Sequence, residues 1–344
     1  MYRRSSNGHI FEILLFTLSS LLLYHTGVGF PLFLVPLQIV ASRRGFGALA
    51  LAEGVFFVVF LGIRLWPTIA DTPHVLPDAI TAMETGVALL CLLGMLLVNL
   101  PLRRRPRTLV MLLAATGVAA AAAVPALLLL GGTSAFQEGM NQLYTEISRA
   151  MTGVFSPGAD TGAAAFLSQM LQPDRLRRMT EATLLRSLAA DYLVLLSFSW
   201  WAGQSAARRA PLYLTAGRFR LSRFRLEAGW LWPLIVSGAL VLADLFGSAV
   251  PSLAFFRDAG GPYIAWNAGL VVLFLFGLQG LAIVMFLFEK YHLPRFLWFL
   301  LLVGIVVLAA SPGAGVFVIL VIPALGVSEN WIRYRIPADA APTE

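Results

Sequence analysis

From residue 269 to residue 288 the chain runs twenty residues without a charge, and its one polar side chain there is the amide of Gln279. At ~1.5 Å rise per residue such a helix is ~30 Å long, the thickness of a bilayer's hydrocarbon core. No water reaches backbone N–H and C=O groups at that depth, so the run has to satisfy them internally, as a helix does. Apolar runs recur at 10–24, 28–41, 46–65, 79–100, 109–130, 187–203, 229–250, 296–310 and 316–326. The expectation is an all-α chain, a polytopic transmembrane helical bundle of about ten spans (eight to ten), forming one membrane domain over residues 1–344. Charged residues are 12% of the chain, about half the usual share of a soluble domain.

Details of the runs refine this. Arg3 and Arg4 precede 10–24, but no small-x-small cleavage site follows, so this run reads as a first span rather than a signal peptide. The run 28–41 holds Pro31 and Pro36. Each removes a backbone donor, so a kinked or broken second span is expected. Residues 131–186 are too polar to span. There Phe136, Met140, Leu143, Ile147 and Met151 recur at helical spacing, with Glu138, Asn141, Glu146 and Arg149 between them, which predicts an amphipathic helix. A second is expected near 163–170, and Pro173 restarts a helix leading into the run 187–203. Helices lying on the membrane surface, or a lid over a cavity, would both suit this insert. The single cysteine, Cys91, excludes an internal disulfide and a cysteine metal site.

Arginine sets the expected orientation. Short loops rich in Lys and Arg stay in the cytoplasm. With both termini inside, the basic clusters at 3–4, 43–44, 103–107, 208–225, 290–295 and 333–335 fall on one side, and the acidic loop 71–78 on the other. The Arg175–Arg178 group lies in the long insert, which the rule largely exempts. Six tryptophans fall at expected inner ends and Trp66 and Trp266 at outer ends, as an aromatic belt would place them. The chain is thus expected in a bacterial cytoplasmic (inner) membrane. Its net charge of +7 is explained by topology and anionic lipid rather than by nucleic acid. The lipid bilayer is the first expected partner.

An ionisable side chain inside a span is costly and counts as a functional candidate. Glu53, Arg64, Glu84, Asp191 and Asp244 qualify, with the amides Asn267 and Gln279. Glu53 falls near the middle of its span. Arg64, Glu84, Asp191, Asp244 and Asn267 share a depth in the outer halves of five different spans, and so form the candidate ligand-binding set around an outward-facing polar cavity. A structural ion pair, Arg64 with Glu84 or Asp191, would explain the same positions. Arg64 would anchor an anionic group through its planar fork of donors. Enzyme templates fail: the chain has no Gly-Lys-Ser/Thr loop, no His-Glu-x-x-His and no Gly-x-Ser-x-Gly. The histidines, His9, His25, His74 and His292, are scattered. Neither Asp191 nor Asp244 has the Gly-Asp flank of intramembrane aspartyl proteases. No catalytic residue, metal site or cofactor is expected.

Asn267, Gly277-Leu278-Gln279-Gly280, the basic turn at Lys290 and the closing Gly326, Trp331 and Arg333 resemble the C-terminal half of the YybS-like family of uncharacterised bacterial membrane proteins. The likeness is concentrated in 262–335 and implies a membrane fold without implying a chemistry. Gly277 and Gly280 on one helix face are expected to serve close helix packing. Pro31, Pro36, Arg44-Gly45 and the small-residue stretch 48–52 are similar, more weakly, to the substrate-capturing membrane subunits of energy-coupling-factor vitamin transporters. That likeness implies a separate ATPase partner. Two expectations of function follow: a transporter-like or solute-binding membrane subunit, or a non-enzymatic membrane scaffold or assembly factor.

Overall fold

The computed structural model describes residues 6–27, 29–69, 78–101, 108–155, 169–208, 221–246, 260–311, 314–332 and 334–335. Among them the chain is all-helical, with eleven α-helices, three 3-10 turns and no strand. It divides into two compact units, Met1–Thr215 and Ala216–Glu344, and each is described by itself.

The first unit holds α1 (Ser6–His25), α2 (Leu34–Arg44), α3 (Phe46–Ile69), α4 (Asp78–Val98), α5 (Thr108–Gly131), α6 (Ser134–Phe155) and α7 (Pro173–Ala207). Helix α2 lies innermost, packed on α1, α3 and α7. Phe33, Leu34, Leu37, Val40 and Gln38 are almost wholly enclosed. Gly45, at φ +86°, makes the sharp turn from α2 into α3, a conformation that a residue with a Cβ rarely adopts. Around this centre the bundle turns apolar side chains outward. Phe11, Leu15, Leu18 and Leu22 form an exposed stripe on α1, a surface suited to lipid and not to water.

The second unit holds α8 (Leu231–Phe246), α9 (Gly261–Lys290), α10 (Arg295–Ala310) and α11 (Ala314–Ser328). Helix α9 is its axis, packed on α8, on α11 and on the 3-10 turn Leu221–Arg223, and α10 packs on α11.

Among the described residues five helical stretches are long and apolar enough to cross a membrane: Phe46–Trp66, Ile80–Val98, Pro173–Ala207, Ala228–Phe246 and Gly261–Lys290. Four shorter apolar helices accompany them, His9–His25, Thr108–Ala123, Phe296–Ile305 and Val318–Ser328. The run 28–41 differs from the span expected of it. Pro31 sits in the 3-10 turn Phe30–Leu32 and Pro36 in the first turn of α2, both tolerated places for proline. What remains is an 11-residue helix, about 16 Å long and half the thickness of a hydrocarbon core. Ser20 of α1 donates its hydroxyl to the Phe33 carbonyl at 2.5 Å, which fixes where the chain turns back beside α1.

In the insert, α6 is a helix with a marked apolar face. Phe136, Met140 and Tyr144 are buried together with Met83, Leu143 and Leu176, so α6 docks on α4 and α7. Arg177 of α7 fastens it, bonding Gln137, Asn141 (2.7 Å) and its own helix neighbour Glu181 (2.7 Å). Ile147 and Met151, further along the expected stripe, stay exposed. Helix α7 is one unbroken rod of 35 residues, about 52 Å long, so the run 187–203 and the polar turns before it share one axis. The expected helix near 163–170 lies mostly outside the described residues.

Candidate functional site

Helix α3 turns one continuous face inward: Leu49, Ala52, Glu53, Phe56 and Phe60, the i, i+3, i+4, i+7, i+11 spacing of a core stripe. A carboxyl side chain therefore stands where the pattern calls for leucine. Glu53 is 3% exposed, and among the described residues neither carboxyl oxygen has a hydrogen-bond partner. Beyond it Phe56 and Phe60 join Tyr24, Phe30 and Phe33 in an aromatic cluster, with Tyr24 edge-on to Phe33 at 5.1 Å and to Phe60 at 5.2 Å. These edge-to-face contacts lock the rings beyond simple burial.

Arg64 closes the cluster at its far end. Its guanidinium lies over the Phe60 ring, 5.6 Å from the centroid, and pairs with Glu84 of α4. Tyr24 donates its hydroxyl to the Glu84 backbone carbonyl at 3.2 Å. Of the candidate set in this unit, Arg64 and Glu84 are brought together. Asp191 is not among their partners: it is exposed and accepts the Ser187 hydroxyl at 2.6 Å within its own helix. A further ion cluster lies where α2 ends, with Glu12 held by Arg43 at 2.5 Å and by Arg44.

Two sets of contacts tie α2, α4 and α7 together. Gln38 and Asn99 exchange amide hydrogen bonds at 3.2 and 2.8 Å. Gly203 of α7 packs against Gln38 so closely that an added Cβ would meet its Cβ at 2.5 Å. Tyr192 of α7 lies against Gly94 and donates its hydroxyl to the Leu90 carbonyl at 2.6 Å.

In the second unit Asp244 and Asn267 are both buried, on facing helices α8 and α9. Trp266 donates its indole N–H to Asp244 at 2.9 Å, and Asn267 donates to the Tyr263 carbonyl at 2.9 Å. The most developed polar network is elsewhere, around Gln279. Its side-chain oxygen accepts the Leu226 N–H at 2.9 Å. Its amide nitrogen donates to the Gly326 carbonyl at 3.0 Å and to Glu329 at 2.9 Å. Glu329, 4% exposed, is paired with Arg335, which also donates to the Ser222 and Phe224 carbonyls at 3.0 and 2.8 Å. The amide that interrupts the apolar run 269–288 thus pins the segment before α8 and the end of α11 to the middle of α9.

The sequence reading noted Glu53 but set it apart because its depth differed from that of the others. The signal available was its place in the middle of a span. Glu329 and Arg335 were missed as partners, since Arg335 reads as one more basic residue at a span end. Among the described residues no group of three or more His, Cys, Asp or Glu side chains converges as a metal site would. Comparison with protein-family models, curated proteins and solved structures returned no match.

Proposed function

We propose that the chain is a transporter-like or solute-binding subunit of a bacterial inner membrane, with both termini cytoplasmic and a polar site toward the Arg64 end of α3. One observation carries the reading: a half-length helix, α2, is enclosed in a bundle of apolar helices and entered through a 3-10 turn that Ser20 of α1 caps. Irregular backbone at membrane depth is tolerated where it is buried in protein or lines a cavity, and transporters build their sites from such broken elements. Arg64 would hold an anionic solute, with Glu84 as the counter-ion that it exchanges for that solute. The resemblance to energy-coupling-factor membrane subunits adds a separate ATPase as the expected partner, and the likeness to the YybS-like family stands beside it without a chemistry.

The test is ligand-induced stabilisation. Purified protein is melted in detergent against a panel of small carboxylates and organic phosphates. The reading expects at least one to raise the melting temperature of the wild type and not of Arg64→Ala. A flat response from wild type would leave the second reading, a membrane scaffold. The ion pair of Arg64 with Glu84 favours that second reading, because a paired charge can simply lock two helices. Orientation is tested separately with single cysteines at two exposed positions. Glu146→Cys should react with an impermeant maleimide in intact cells, and Arg223→Cys only after permeabilisation.

A further inference from the structure

We propose that Glu53 is a proton-binding site: a carboxyl that carries its proton in the structure described and is occluded from both ends of its helix. The proposal deepens the transporter reading, on which it rests, by naming the coupling ion.

The geometry points there in three steps. Glu53 is the eighth residue of the spanning stretch Phe46–Trp66, about 5 Å from its midpoint at the rise of a helix. It is 3% exposed, and among the described residues neither oxygen finds a hydrogen-bond donor. A bare carboxylate at that depth would cost several kcal/mol even after relaxation, and nothing in its surroundings offsets this. A carboxylic acid carries no such charge, so the neutral form is the one that fits.

Among the described residues, the groups around it leave no competing counter-ion. From α7, Tyr192 lies within electrostatic range of Glu53 and of Cys91 on α4, but the Tyr192 proton is committed to the Leu90 carbonyl. Tyr24 of α1 is in range of Glu84, Cys91 and Arg64, and its hydroxyl is bonded to Glu84. The charges of α2, Arg43 and Arg44, are held by Glu12. On α3 itself Arg64 is eleven residues further on and paired with Glu84. A metal cation is disfavoured for the same reason: a hard ion needs several converging oxygens, and among the described residues none bonds here.

The site is also closed. Along α3, Leu49 on one side and Phe56 and Phe60 on the other are 0% exposed, and the aromatic cluster fills the path toward Arg64. Proton exchange with that side needs Phe56 and Phe60 to part from Tyr24 and Phe33. A bundle that only had to be stable would do better with leucine at this position, which would fill the stripe at no electrostatic cost.

The experiment is infrared spectroscopy of the full chain in lipid nanodiscs at neutral pH. Wild type should show a protonated-carboxyl C=O band that Glu53→Gln lacks and Glu53→Asp shifts. Its amplitude should fall as pH is raised. Mapping with dicyclohexylcarbodiimide, which takes up the carboxyl proton as it adds, should place the label on Glu53, with sodium chloride giving no protection at constant pH. Identical spectra for wild type and Glu53→Gln would overturn the proposal, as would sodium protection, which would make this a metal-cation site. Glu53→Asp keeps the question answerable if Glu53→Gln does not fold. The two readings fail separately. A Glu53 band with no stabilising solute removes the transporter and leaves the proton site, and a stabilising solute with no Glu53 band does the reverse.

Discussion

Gly280 and Gly277 stand three residues apart on α9, and the structure predicts opposite outcomes when each becomes alanine. A Cβ on Gly280 would overlap the carbonyl oxygen of Ile322 on α11 and sit 3.0 Å from its carbonyl carbon. Carbon pairs prefer ~3.5–4.0 Å, so α11 would have to recede by ~0.5–1 Å. The obstacle is backbone and cannot rotate away. Gly326 of α11 packs on Phe276 in the same crossing, so relief is not available from the partner helix. The recession would stretch the Gln279 bonds to Gly326 and Glu329, now 3.0 and 2.9 Å, toward or past the limit of a hydrogen bond. A neutral bond is worth ~0.5–1.5 kcal/mol and one to a charged group ~1.5–3. Overpacking adds ~1–3 kcal/mol, and alanine's better helix propensity returns ~1. The net cost for Gly280→Ala is roughly 2–6 kcal/mol, at least a thirtyfold loss in folding equilibrium. A Cβ on Gly277 meets its nearest atom, Pro323 Cγ, at an ordinary 3.7 Å. Gly277→Ala should therefore be neutral or stabilising by ~0.5–1 kcal/mol. The assay is sodium dodecyl sulfate titration of protein in mild detergent, followed by far-ultraviolet circular dichroism. Coincident transitions for the two variants would refute the close crossing of α9 and α11.

Arg64→Ala should destabilise the protein more than the double variant with Glu84→Gln, because it strands a carboxylate. The two side chains are 22% and 31% exposed, so the coupling measured by a double-mutant cycle should be nearer ~1 kcal/mol than the ~3–5 of a fully buried pair. Phe136→Ala should cost ~3–5 kcal/mol at the docking face of α6, and protease should then cut within 136–151 in intact membranes where wild type resists. Gly94→Ala places a Cβ against the Tyr192 hydroxyl and 2.9 Å from its ring carbon. It should displace that ring and raise maleimide reactivity at Cys91, which is 2% exposed in the native packing.

The helical class was legible because apolar run length is written directly in the sequence and a bilayer admits few other solutions. Position along a helix was legible for the same reason. Rotation about the axis was not, and it decides partners. Arg64 and Glu84, assigned one depth, meet, while Asp191, assigned the same depth, is exposed and bonds Ser187. The run 28–41 was apolar enough to read as a span, yet two prolines at its start shorten the helix to 11 residues. The prolines were visible. That the turn they make is capped by Ser20, thirteen residues before Phe33, was not, because such a contact has no local signature. Along α6 the period identified the helix but overextended its buried face, which ends at Tyr144 rather than at Met151.

Gln279 and Glu53 show how buried polar groups can be sorted. Both interrupt apolar stripes near the middle of spanning helices, and both are almost unexposed, at 1% and 3%. Gln279 has its carbonyl oxygen and its amide nitrogen engaged by Leu226, Gly326 and Glu329, and Glu329 is in turn engaged by Arg335. Its presence is accounted for by what it holds together: a satisfied network inside an apolar bundle fixes one arrangement of the segments it joins. No such account is available for Glu53. It joins nothing through hydrogen bonds, and an apolar residue would pack its stripe at lower cost. A group that destabilises the resting structure has to gain its interaction in another state, with the proton gone or the aromatic cluster parted. On the proton-site proposal, α3 is therefore to be probed first at Glu53, which has neither a hydrogen bond nor a counter-ion among the described residues, and then at Arg64, which has a counter-ion in Glu84.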